Sequence, residues 1–226
     1  MSNATEGVPA RVPLRDQLGA KPDPDFELRL LPGWTRWTPD GEHMQTMGKQ
    51  VRERLAEVGR PDLAKDAHSL VLSTFKEMRQ KSVIAVFSAT EDRDDTIWMP
   101  GSMTATIRRP GGNYNLDELV VHLIREYGGK PLFGDKRFVR YKRQTHRELP
   151  DGMARLTTIE YMTPVPTSDR RRALCLTASY GVPMSMPADD DRLQAYELAF
   201  DSMVSTLRWV PPAGNGAATS QTRRAE

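Results

Sequence analysis

At 226 residues the chain is long enough to bury a substantial core as one domain with insertions, and 38% hydrophobic with 27% charged residues excludes wholesale disorder. Thirty-two Lys and Arg against thirty Asp and Glu leave a net charge of +2, too balanced to point to nucleic acid through total charge, so any basic surface is local. A single cysteine, Cys175, excludes an internal disulfide, a CxxC redox pair and every multi-cysteine zinc site, and fits a reducing compartment.

Residues 1–24 mix Pro, Gly and charge without periodicity, as do residues 211–226, and both read as loose tails around one α+β domain at 25–210. The start of the chain has no basic segment, apolar run and small-residue cleavage site in succession. No window approaches the roughly 18 to 20 apolar residues of a membrane span. The expected location is therefore cytoplasmic.

In chain order, residues 26–31 alternate Phe26, Leu28 and Leu30 on one face and read as a strand stopped by Pro32-Gly33. The indoles of Trp34 and Trp37 are expected to share a face if that segment is extended. Asp40 caps an expected helix carrying Met44, Met47, Val51, Leu55 and Val58, ended by Gly59. Pro61 opens a second, with Leu63, Ala67, Leu70, Val71, Thr74, Phe75 and Met78 at helical spacing. Together they predict a helical hairpin inserted at about 40–80.

Residues 82–89 and 102–109 read as strands, one a β-branched apolar run and the other alternating Met103, Ala105 and Ile107. The acidic stretch Glu91-Asp92-Arg93-Asp94-Asp95 between them lacks the Gly and distal Glu of a calcium loop and reads as solvated charge. After Pro110-Gly111-Gly112, Asn115 or Asn113 caps a helix with Leu116, Leu119, Val120, Leu123, Ile124 and Tyr127 inward, ended by Gly128-Gly129. Three long runs, 137–148, 153–164 and 172–182, with short polar turns between them, predict an antiparallel meander. Asp189-Asp190-Asp191 then caps a final helix whose stripe is Leu193, Tyr196, Phe200, Met203, Val204 and Leu207; it is expected to lie across the meander, with Trp209 closing the edge of the core.

Chemistry-bearing patterns are sparse. His43, His68, His122 and His146 fall in separate elements without metal-ligand spacing, although His122 has Glu126 four residues on. Cys175, between Leu174 and Leu176, reads as a small buried hydrophobe. No GxSxG, Walker or GxGxxG motif occurs, and neither metal nor cofactor is expected. The most informative polar run is 136–148. Phe138, Arg140, Lys142, Gln144 and His146 fall on one face of that strand, and Arg137, Val139, Tyr141, Arg143, Thr145 and Arg147 on the other. It reads either as a phosphate-contacting surface or as an edge protected by cations.

A strand ending in Pro32-Gly33-Trp34, an Asn-capped helix, a long meander and the closing helix AYELAFDSMVSTLRW resemble the PsbP-like α/β/α sandwich. That group includes photosystem II extrinsic proteins, a Ran-binding nuclear import factor and actinobacterial lipoproteins. The resemblance covers residues 26–31 and 103–209, with Phe200, Met203, Leu207 and Trp209 its clearest residues. The helical hairpin is longer than the family's usual link, and the lipobox of the lipoprotein members is missing. Such members mostly act as adaptors or assembly factors, so the resemblance implies protein binding and names no partner; fold alone does not fix function.

The leading expectation is a non-enzymatic interaction or accessory factor that binds another protein. Its candidate contact residues are Trp34 and Trp37, if not buried, then Arg140, Lys142, Arg143 and the exposed side of residues 40–79. A second reading is a small-ligand binder or enzyme with a pocket between sheet and helices, gathering His122, His146, Tyr141, Tyr161 or an acidic residue of perturbed ionisation. A third is an anionic polymer, nucleic acid included, on the basic strand.

Overall fold

The computed structural model describes residues 24–57, 59–91, 93–109, 115–149 and 152–211. The expected tails, Pro24 and Pro211 apart, lie outside the described residues, as do Val58, Asp92, Pro110-Gly111-Gly112 with Asn113, and the Pro150-Asp151 turn. The fold is α+β. Among the described residues nine strands run as β1 (Asp25–Glu27), β2 (Trp34–Trp37), β3 (Val83–Ala89), β4 (Gly101–Arg108), β5 (Lys130–Leu132), β6 (Asp135–Leu149), β7 (Gly152–Pro164), β8 (Ala173–Pro183) and β9 (Arg208–Val210). Helices α1 (Gly41–Glu57) and α2 (Ala64–Gln80) lie between β2 and β3, α3 (Leu116–Tyr127) precedes β5, and α4 (Asp191–Ser205) precedes β9.

Seven strands form one sheet in the order β2-β3-β4-β8-β7-β6-β5, every neighbour antiparallel. The period-two alternation of its strands divides the core between two faces. On one face Phe87, Met103, Ala105, Ile159, Tyr161, Leu174, Leu176 and Ala178 pack under Phe200, Met203, Val204 and Leu207 of α4. On the other, Leu116 and Leu123 of α3 cover Tyr141, Met162 and Cys175, while Val71 and Phe75 of α2 cover Trp37 and Val86 at the β2–β3 edge. Helices therefore flank the sheet on both sides, and α1–α2 stands apart from α3 across the central strands.

Local chemistry sets the helix ends. Asn115 Oδ1 accepts the Glu118 N–H at 3.0 Å, and Gly128 at φ 66 closes α3 by donating its N–H to Leu123 O. Asp190 Oδ1 accepts the Arg192 N–H at 3.0 Å at the start of α4, and Asp40 Oδ1 accepts the His43 N–H at 2.9 Å at the start of α1. The turn at Gly33 admits only glycine. Its φ is 74, and a Cβ there would sit 2.2 Å from Thr96 Oγ1.

Three expectations need correction. The first strand spans only Asp25–Glu27 and pairs with β9, Phe26 opposite Trp209, rather than running to residue 31. Its partner is bounded by the end of α4 on one side and by Pro211, which has no N–H for a ladder, on the other. Leu28 and Leu30 still pack against the core, from irregular backbone. Trp34 and Trp37 lie on opposite faces, as their odd spacing dictates in an extended segment: Trp34 joins the α4 side and Trp37 the hairpin side. On α3, Ile124 and Tyr127 are 48% and 43% exposed rather than inward, because the helix rests on β6 mainly through Leu116 and Leu123.

Candidate functional site

Between α2 and α3 the sheet face is only partly covered: Met162, Cys175 and Tyr141 lie under α3, while Thr104, Thr106, Glu160 and Thr177 are half-buried on the floor of a groove. The β-register aligns those positions into cross-strand rows: Thr104 beside Thr177, Thr177 beside Glu160, Glu160 beside Tyr141; and Thr106 beside Cys175, Cys175 beside Met162. From β4 to β6 this spans three strand gaps, roughly 14 Å. A cavity of about 520 Å³ lies over the β4–β8 part of this floor, walled by Thr74, Glu77 and Met78 of α2 and by Lys81 just past its end, with Arg108 at the end of β4.

The far side is aromatic and cationic. Tyr141 Oη donates to Glu160 Oε2 at 2.5 Å, and Arg143 pairs with Glu160 Oε1, so both carboxylate oxygens are engaged by protein donors. The Arg143 guanidinium lies 5.8 Å from the Tyr127 ring centroid and 6.0 Å from that of Tyr141, and the two tyrosine rings are 5.4 Å apart. His122 meets Tyr127 edge-on at 6.0 Å instead of pairing with Glu126. Burial, with the neighbouring Glu160 carboxylate adding to it, raises the Tyr141 phenol far above its ordinary range, so it stays a donor. Burial also pushes the Cys175 thiol up to about 11 against the opposing pull of Arg108, leaving it protonated and unreactive at neutral pH.

The sequence-derived contact residues scatter over the molecule. Trp34 and Trp37 are 5% and 8% exposed, so the condition placed on them is not met. Trp34 Nε1 donates to Ile97 O at 2.8 Å with its ring edge-on to Phe200, and Trp37 Nε1 donates to Ser88 Oγ at 3.1 Å with its ring stacked on Phe75 and His43. Arg140 lies under α4, its Nε 2.8 Å from Asp201 Oδ1 and its Nη2 3.1 Å from Glu197 Oε2. Lys142 Nζ reaches Glu197 Oε1 at 2.9 Å. Only Arg143 stands at the groove. The basic strand thus spends Arg140, Lys142 and Arg143 on internal carboxylates, and Arg137 on Asp135, instead of presenting a continuous cationic stripe.

His122, His146, Tyr141 and Tyr161 do not converge on one pocket: the two histidines are exposed, and the two tyrosines point to opposite faces. Among the described residues no group of three or more His, Cys, Asp or Glu is placed to hold a metal ion, and no helix is long and apolar enough to cross a membrane. Sequence reasoning missed the groove-lining Thr104, Thr106, Glu160, Thr177, Ser179 and Arg108. The available signal was the alternating hydroxyls Ser102, Thr104 and Thr106 of β4 and Thr177 and Ser179 of β8, opposite an apolar alternate set.

No family model matches the chain, and no curated protein matches it. Among solved structures, a mutant form of the protein Mog1 overlaps 56% of this chain and 79% of that one, at 10% identity and a TM-score of 0.37. An overlap of that extent assigns neither family nor function.

Proposed function

We propose that this protein is a non-enzymatic interaction or accessory domain that receives another protein on the surface formed by α3 and β6. The observation that supports this most is a cluster of contact-forming side chains left outside: Val121 at 44% exposure with Ile124 and Tyr127 from α3, adjoining Arg143. Tyr and Arg are the side chains that dominate binding energy at protein interfaces, and an apolar helix row beside them supplies area that water otherwise covers. Arg143 is already oriented by Glu160 and Tyr127, so a partner would meet a preformed anchor with little ordering cost.

A photo-crosslinking residue at Ile124 tests this reading in cell extract, with the same residue at the exposed Leu198 of α4 as control. One discrete protein captured from position 124, not from 198, and lost when Tyr127→Ala is added, is the expected result. Equal capture from both positions, or none from position 124, overturns it.

A second reading, a small-ligand site, is favoured by the groove. Its volume of about 520 Å³ falls within the range of about 300–1,000 Å³ usual for ligand pockets.

A further inference from the structure

We infer that the groove between α2 and the central strands binds a small hydroxylated anion, of the sugar-acid or sugar-phosphate class, with Arg108 holding its charge. The inference rests on the small-ligand reading and is independent of protein contact at α3.

Four cavity-lining residues carry charge: Glu77, Lys81, Glu160 and Arg108. Lys81 Nζ lies 3.5 Å from Glu77 Oε2, and Glu160 is matched by Arg143. Arg108, exposed at the end of β4 and opposite Ala173 in the register, has no ion-pair partner among the described residues. The cavity is therefore left with one uncompensated guanidinium, a group whose planar fork of donors matches a carboxylate or phosphate.

The floor supplies the rest of the recognition. The hydroxyls of Thr104, Thr106, Thr177 and Ser179 have no hydrogen-bond partner among the described residues, and each offers one donor and two acceptor sites into the groove. Set on neighbouring strands at fixed register, they form an array that pairs with several hydroxyls of one ligand, while Met78 and Val83 offer an apolar wall to its C–H face. The cavity is larger than a lone inorganic oxyanion needs, which favours an anion carried on a polyol frame. The protonated Cys175 thiol adds no opposing charge.

The experiment uses the full chain and calorimetric titration at fixed ionic strength. The probes are glucuronate for the carboxylate source, glucose 6-phosphate for the phosphate source, and neutral glucose and inorganic phosphate as comparisons. Saturable binding of either sugar anion is expected, weakened about tenfold or more by Arg108→Gln, weakened less by Thr177→Val, and unchanged by Arg125→Gln on the exposed side of α3. Equal thermal midpoints of the variants separate lost binding from lost folding. Glucose binding as tightly as glucuronate overturns the anion inference and leaves a ligand groove standing. Inorganic phosphate binding as tightly as glucose 6-phosphate overturns the polyol part, and with it the inference. No saturable binding of any probe up to about 10 mM overturns both the inference and the small-ligand reading, and leaves the α3 surface untouched.

Discussion

Along β8, Leu174, Leu176, Ala178 and Tyr180 turn beneath α4 into a closed core, while Cys175, Thr177 and Ser179 turn to the opposite face, where the groove stays open. The backbone is the same, and the two faces differ in what covers them. Under α4 even the polar groups are consumed: Asp201 Oδ1 accepts from Tyr161 Oη at 2.6 Å and from Arg140 Nε at 2.8 Å, tying helix to sheet. Across the sheet, the hairpin and α3 each cover one end, and the strip between them keeps its hydroxyls. The larger buried cluster thus lies on the α4 side and the open cavity on the other, so a substitution's cost should depend chiefly on which face it strikes.

The sharpest way to break that contrast is Phe200→Ala, which should lower unfolding free energy by about 3–5 kcal/mol in urea titration because the ring is fully buried against Trp34. A smaller loss would mean that α4 is not the principal cover. Asp201→Ala should cost about 2–3 kcal/mol, since it strips the acceptor from the buried Tyr161 hydroxyl and half the pairing from Arg140. The comparable change on the open face, Glu160→Gln, should cost roughly half as much, because Arg143 is about half exposed and regains water.

The thiol provides a pH-dependent version of the same comparison. Its native pKa, raised by burial from 9.0 to about 11, exceeds the unfolded value, so between those values the native state holds more protons than the unfolded chain. The associated stability is complete below pH 9 and is lost as pH rises towards 11, by at most about 3 kcal/mol. Cys175→Ala should flatten that part of the slope in chemical denaturation; an unchanged slope would assign it to the tyrosines alone. The smallest effect is expected at the floor, where Thr177→Val should alter stability by no more than about 0.5 kcal/mol while weakening ligand binding.

Much of the framework was legible before folding. Asp40, Gly59 and Pro61 delimit the hairpin helices; Asn115 and Gly128 bracket α3; and the alternation of 137–148, 153–164 and 172–182 marks three strands of the meander. Those signals are local, carried by caps, breakers and side-chain period. The groove was not legible, because a threonine facing solvent and one lining a cavity are identical in sequence. Arg140, Lys142 and Arg143 read as one basic surface, yet Glu197 and Asp201, some sixty residues later, neutralise the first two, and Glu160 pairs with the third.

The amino-acid order by itself determined the helices, the long strands and most of their apolar faces, because capping, backbone freedom and periodicity act within a few residues; the short β1 and β5, and the outward side of Ile124 and Tyr127, were set by pairing and packing at a distance. Only the tertiary structure decided which helix covers which face, which cations find carboxylates and where the sheet stays only partly covered. Those outcomes depend on strand order and register, and hence on contacts between residues far apart in the chain.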